Sequence, residues 1–83
     1  MSTDFKIMTH VEVAQMWESR AKIFEKNEVD LSDNVEIDSS GVAFLVQWAK
    51  NNHNQLTIYN ASNNLKSLIK TFRLEPLFVL KDK

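Results

Sequence analysis

Short segments in which apolar and polar residues alternate are separated along this chain by amphipathic helical segments. This order of segments constrains the fold more than any other feature. Strands are predicted in "DFKIM", over 28–32, over 56–60 and in "LFVLK", with 33–38 as a loop or a short extension of the second strand. Helices are predicted from Thr9, over about 41–50 and over 63–73. The β-α-β-α-β-α-β order indicates an α/β fold: a mostly parallel four-stranded sheet with right-handed crossovers and helices mainly on one face.

The start of the first helix has the pattern of a capping box, since Thr9 precedes Glu12 by three residues. Phe5 and Ile7 are expected to point inward from the strand before it. Arg20 lies within the apolar side of this helix, which leaves two interpretations: a side chain reaching out from the edge of the core, or a contact to an acid on a partner. The apolar side itself consists of Val13, Met16, Trp17, Ile23 and Phe24.

The last helix is expected to begin at a Ser62 cap and to end before Pro76, which cannot continue a helix. Its predicted buried side has helical spacing and consists of Leu65, Leu68, Ile69 and Phe72. Residues 1–83 are short enough to form a single domain, which buries only about 60–65% of its unfolded surface.

Composition excludes several classes of function. A net charge of −1 gives no basic excess for nucleic acid, and a chain without cysteine has no disulfide and no thiolate metal site. No apolar run reaches the roughly 18 residues that a membrane span needs, so direct membrane insertion is not expected. The N-terminus lacks the basic start and apolar centre of a signal peptide. We therefore expect a cytoplasmic protein, and we expect no cofactor.

The segment "EIDSSGVAFLVQW", residues 36–48, places the only glycine between polar residues and the most apolar helix. Asp38, Ser39 and Ser40 are all residue types that cap helix starts. A compact core face is predicted for the helix, made of Val42, Leu45, Val46 and Ala49. Trp48 and then Phe44 continue this apolar surface further around the helix than a single buried face requires. Trp48 either closes the edge of the core or belongs to a docking patch, and Phe44 is expected to be partly exposed.

Catalysis is not predicted. A nucleophilic serine needs a base held by a third group, and neither His10 nor His53 has a carboxylate partner in the sequence. A phosphate-binding loop needs several glycines followed by a lysine, which this chain lacks. Glu36 and Asp38 are only a pair of carboxylates, too few for a metal site.

Two stretches of the sequence resemble the STAS domain family, the fold of bacterial anti-sigma factor antagonists. One is the strand end Asp30, Leu31 and Ser32, and the other is the helix start "DSSG" at 38–41. The resemblance covers about residues 5–80 and is closest to the MlaB-like branch, whose members are single STAS domains. The chain departs from the family in its N-terminal β-hairpin, which is shortened to one strand at most.

The resemblance implies a cytoplasmic accessory subunit that binds the ATPase of an ABC transporter, and that lies at the inner membrane through this partner. Such transporters move phospholipids between the inner and outer membranes and maintain lipid asymmetry. The alternative that the family implies is an anti-sigma factor antagonist switched by phosphorylation of Ser39. Weak self-association is left open. The implied partner-binding residues are Asp38, Ser39, Ser40, Gly41, Phe44 and Trp48.

A third alternative is a lipid-binding or membrane-surface domain, which would use Lys66, Lys70 and Arg73 on one side of the last helix. Cations near a helix C-terminus are also ordinary partners of the helix dipole. This alternative is therefore ranked below the other two.

Overall fold

The computed structural model describes residues 5–82, and within them it contains five short strands and four α-helices. The strands are β1 (Ile7–Met8), β2 (Glu28–Asp30), β3 (Glu36–Ile37), β4 (Leu56–Tyr59) and β5 (Phe78–Lys81). The helices are α1 (His10–Glu18), α2 (Arg20–Ile23), α3 (Ser39–Asn51) and α4 (Asn63–Thr71), and a 3₁₀ turn, Glu75–Leu77, precedes β5. None of the helices in this part of the chain is long and apolar enough to cross a bilayer.

All strand pairs within residues 5–82 are parallel, and they form two sheets. β1 pairs with β3, with Met8 opposite Ile37, and a second sheet has the order β2-β4-β5. The predicted α/β class is confirmed, but the strands do not form one four-stranded sheet. The additional strand is β3, which the sequence offered only as an extension of β2. A two-residue strand has no periodic pattern by which it could be recognised.

The first strand buries the opposite residue from the one expected. Met8 is fully buried, whereas Ile7 is 38% exposed and Phe5 is half-buried. The inward direction predicted for Ile7 is therefore wrong. Neighbouring residues of a strand point to opposite faces, and in β1 it is Met8 that packs beneath α3, against the position of Gly41.

The first predicted helix is divided at Ser19 into α1 and the single turn α2. Met16, Ile23 and Phe24 are buried, but Trp17 is 40% exposed, contrary to the apolar side predicted for it. Because the helix is interrupted at Ser19, these residues do not lie on one continuous helix.

The capping box of α1 also differs from the expectation. Thr9 occupies the N-cap position, but its side chain accepts no bond from the helix N–H groups. Its hydroxyl donates instead to the carboxylate of Glu12.

At the other end of the chain, α4 begins as predicted, with Ser62 Oγ accepting the backbone N–H of Leu65 at 3.1 Å. Leu65 and Ile69 are buried, whereas Phe72 is 50% exposed because it lies after the helix has ended. The predicted burial of Phe72 is wrong for this reason.

Arg73 ends α4 in the left-handed region, with φ of 56°. Its N–H donates to Lys70 O at 3.1 Å, and the N–H of Leu74 donates to Ile69 O at 2.9 Å. These two bonds are those of a Schellman motif, whose left-handed position is usually taken by glycine. Lys66 and Lys70 are exposed on α4, and Arg73 lies beyond its last turn.

Candidate partner-binding site

Two helix starts lie side by side because β1 and β3 are parallel neighbours. Met8 and Ile37 are the last paired residues of these strands, and α1 and α3 begin two positions after them. The carboxyl ends of parallel strands are where α/β proteins place binding residues. We call the residues of these helix starts the tip, and it consists of Thr9, Glu12, Asp38, Ser39 and Ser40.

Asp38 is the N-cap of α3, one of the three candidates that the sequence offered. Its Oδ1 accepts the backbone N–H of Ser40 at 2.9 Å and that of Gly41 at 3.2 Å. The helix therefore begins at Ser39, two residues earlier than expected. Because Asp38 alone satisfies these N–H groups, the hydroxyl of Ser39 is exposed and makes no hydrogen bond to residues 5–82.

Gly41 is buried where α3 crosses β1 and β3. A Cβ at this position would lie 2.4 Å from Met8 O, 2.6 Å from Ile37 Cγ1 and 2.9 Å from Met8 Cβ. Real side chains do not approach this closely, so only glycine allows the helix to rest on the strands. This close approach, and not an unusual backbone conformation, explains the position of the only glycine. Gly41 therefore supports the tip from below and presents no side chain to a partner.

Phe44 is not partly exposed, as the sequence predicted, but 1% exposed, and the accessible docking role expected for it is wrong. The reason is that α1 and α2 cover a second side of α3, so a wide apolar arc is buried. The ring centroid of Phe44 lies 5.3 Å from that of Phe24 and 6.3 Å from that of Trp17.

Trp48 is 2% exposed, and its Nε1–H donates to Lys26 O at 2.7 Å. Of the two interpretations of Trp48, the one in which it closes the core is confirmed. Asn52, one turn further along, donates its side-chain N–H groups to the carbonyls of Phe24 and Lys26 as well. Neither Trp48 nor Phe44 belongs to the accessible part of the site.

The tip carries more negative charge than the sequence motif alone indicated. The hydroxyl of Thr9 and the backbone N–H of Glu12 bond the Glu12 carboxylate and lower its pKa, while burial and the nearby charge of Asp38 oppose this shift. Glu12 is thus ionised near neutral pH beside Asp38. Glu12 was not predicted as a site residue. It could have been, because the carboxyl ends of parallel strands lie at a common edge and Glu12 follows one of them.

A third helix start approaches the same edge. Asn64, in the first turn of α4, donates Nδ2–H to Ile37 O at 3.4 Å. The amide links α4 to the last residue of β3, immediately before Asp38. The tip therefore rests on three helices and two strands, which is a rigid base for a protein contact.

No hydrogen bond joins Ser39 to a histidine in residues 5–82, and His53 lies in the exposed loop after α3. Within the same residues, no three side chains of His, Asp or Glu come together as a metal site would need. The tip presents the exposed hydroxyl of Ser39 next to the N-cap carboxylate of Asp38.

In comparisons with known proteins, no family model, no curated protein and no solved structure matches this chain.

Proposed function

We propose that this chain is a non-catalytic STAS-like accessory subunit that binds and stabilises the ATPase of an ABC transporter for intermembrane phospholipid transport. In this proposal the chain resides in the cytoplasm, at the inner membrane, through its partner. The support from the sequence is the pair of motifs ending β2 and beginning α3. In both motifs the aspartate fixes the local backbone: Asp30 Oδ1 accepts the N–H of Ser32 at 2.9 Å, as Asp38 does for α3.

One observation carries the proposal: Ser39 is exposed at the start of a helix whose N–H groups Asp38 has already satisfied. The hydroxyl has no structural task within residues 5–82. It is held in place by a helix that glycine seats directly on two strands. A surface of this kind offers a partner a preorganised polar contact at low entropic cost.

The electrostatics of the tip suggest what the ATPase surface must present. Glu12 and Asp38 are both acceptors, and Ser39 can donate or accept. A complementary partner surface would contribute lysine, arginine or backbone N–H groups. Contacts of this type at the rim of an interface govern association rate and specificity more than affinity.

The second candidate function is a phosphorylation-switched antagonist of an anti-sigma factor, and the exposure of the Ser39 hydroxyl also favours it. A phosphate adds about −1.5 to −2 charges at pH 7. Here that charge would be added beside Glu12 and Asp38, and the attraction of the helix dipole would offset only part of the repulsion. A partner that accepts the tip with the uncharged Ser39 hydroxyl would be released by the phosphorylated one.

Affinity purification of the tagged full chain from its native cells, with quantitative mass spectrometry, distinguishes the two functions. Enrichment of an ABC-transporter ATPase together with its permease supports the first proposal. Enrichment of an anti-sigma kinase supports the second. Recovery of neither, under conditions that preserve membrane complexes, contradicts both.

The role of the tip is tested with the recovered ATPase and three variants of this chain. We expect Ser39→Ala to weaken binding little and Ser39→Asp to weaken it on the order of tenfold, because the partner's cations are already paired with Glu12 and Asp38 and a third carboxylate is left unpaired in the interface. The matched control is Ser67→Asp, the same change at an exposed position of α4. Equal affinities of the Ser39→Ala and Ser39→Asp proteins, measured by calorimetry, would place Ser39 outside the interface.

A further inference from the structure

An open groove of about 730 Å³ lies between the α1–α2 segment and the last turns of α3. Lys50, on its α3 wall, and Ser39, at the tip, are eleven positions apart in one helix, which corresponds to roughly 16 Å along its axis. The groove and the tip are therefore separate surfaces. The residues that matter for binding in the groove are Trp17, Arg20 and Phe24 on one wall and Gln47, Lys50 and Asn51 on the other.

The apolar part of the groove is aromatic. Phe24 is 8% exposed, while Trp17 leaves 40% of its surface exposed. The Trp17 ring is held at an edge-to-face angle of 70° against Phe44, with the centroids 6.3 Å apart. A large indole held in place at the surface is the residue type that is most enriched in binding hot spots.

Arg20 fixes a positive charge on this aromatic wall. Its guanidinium lies 4.5 Å from the centroid of the Trp17 ring, and Nη1–H donates to Trp17 O at 2.8 Å. This bond uses one of the five N–H donors of a guanidinium. Arg20 thus lies against Trp17 at the edge of the core. The contact of Arg20 with an acid on a partner stays a prediction.

Lys50 supplies a second cation on the opposite wall. Neither Arg20 nor Lys50 forms an ion pair with a carboxylate of residues 5–82. Glu18 is the only acidic residue in the lining of the groove. The groove is thus locally cationic, although the whole chain has a net charge of −1.

We propose that this groove binds a short acidic segment of a partner protein in which an aromatic or aliphatic residue lies between carboxylates. The apolar side chain would pack on Trp17, and the flanking carboxylates would bond Arg20 and Lys50. The amides of Gln47 and Asn51 are placed to bond the backbone of such a segment. The inference does not rest on the function proposed for the tip.

Two peptides with blocked ends, which share their apolar residues, test the charge requirement of the proposal. The acidic probe is Asp-Glu-Phe-Asp-Leu, and its uncharged counterpart is Asn-Gln-Phe-Asn-Leu. The chain has two tryptophans, so two indole N–H signals are expected in an NMR titration of the full protein. We expect the acidic peptide to shift the signal of Trp17 saturably and to leave that of Trp48, which is bonded to Lys26 O, unchanged.

Matched variants test the two cations. Arg20→Gln and Lys50→Gln are each expected to weaken binding of the acidic peptide by about two- to fivefold, the range of exposed ion pairs. Lys70→Gln is the control, because Lys70 occupies the last turn of α4 as Lys50 occupies that of α3. Ser39→Asp should leave peptide binding unchanged, which separates this inference from the proposed function of the tip.

Three outcomes would overturn the proposal. One is the absence of a saturable Trp17 shift up to about 5 mM of the acidic peptide, a concentration that detects even weak binding. Another is equal binding of the acidic and uncharged peptides. The last is an equal effect of Lys50→Gln and Lys70→Gln, which would mean that the groove lysine contributes only general charge.

Discussion

The two halves of α3 pack in opposite ways. The first half rests directly on strand backbone, since the position of Gly41 leaves no room for a single carbon atom beside Met8 and Ile37. The second half is separated from α2 by aromatic rings, with centroids of Phe24 and Trp48 5.9 Å apart. One helix therefore contacts its neighbours through main chain at one end and through large side chains at the other.

This difference in packing predicts which substitutions each end of α3 can tolerate. Beneath the tip, the close fit at Gly41 holds the start of α3 on the strands, and an atom added at Gly41 must displace Met8 or Ile37. At the aromatic end, stability depends on filling volume, and removal of atoms is what should be costly. The two ends are therefore expected to respond to opposite kinds of substitution.

The largest effect is expected among the aromatic rings that pack α3 against α1 and α2, to which Phe44 belongs. Phe44→Ala removes a fully buried ring and should destabilise the fold by about 3–5 kcal/mol. A domain of this size has only about 4–12 kcal/mol in total, so the variant should lose a large part of its stability. Urea unfolding followed by circular dichroism measures the loss, and Phe44→Leu, which keeps most of the volume, is the folded comparison. A loss below 1 kcal/mol would show that Trp17 and Phe24 close the space.

At the tip, we expect Gly41→Ala to destabilise by about 2–3 kcal/mol because the new methyl group overlaps Met8 O. In a helix where the added methyl group fits, a Gly→Ala change stabilises by about 1 kcal/mol. The sign of the change in unfolding free energy therefore decides whether the contact is as close as described. Ala43→Gly is the control, at an exposed position of the same helix. A stabilised Gly41→Ala protein would refute the close contact between α3 and β1.

Part of the structure around α3 could be predicted from the sequence, and part of it could not. A side-chain cap within residues 38–40 was predictable because capping chemistry is local, and so was the apolar face of α3. Burial of Phe44 was not predictable, because it depends on a second layer, α1–α2, that no local pattern reveals. The pairing of β1 with β3 was not predicted for the same reason, since strand register depends on contacts between residues distant in sequence.

A smaller loss is expected for Asp38→Ala, about 1–2 kcal/mol, because the N–H groups of Ser40 and Gly41 lose their acceptor. Asp38→Asn retains a side-chain oxygen and should recover most of the loss. Thermal unfolding of the two proteins at one pH measures this difference. If both variants are equally destabilised, the charge of Asp38 matters and not its acceptor geometry.

The smallest effect is expected at the C-terminus of α4, and it has the opposite sign. Arg73→Gly should stabilise by about 0.5–1 kcal/mol, because glycine adopts the left-handed conformation without the strain that arginine incurs. The greater freedom of glycine in the unfolded chain limits the gain. Lys70→Gly, in the last turn of the same helix, should destabilise by about 1 kcal/mol and is the control. An unchanged melting temperature for Arg73→Gly would mean that the Schellman bonds already offset the strain.

The exclusively parallel pairing in residues 5–82 also has a consequence for how the chain folds. No two strands within residues 5–82 are joined by a tight hairpin turn. Each strand pair can therefore form only after a helix-containing crossover has closed. Closing such crossovers costs entropy before any strand contact forms, and mixed α/β domains accordingly fold more slowly than helical bundles. Because α3 contacts β3 in one sheet and β4 in the other, substitutions in α3 should slow folding, whereas Arg73→Gly should act mainly on the unfolding rate.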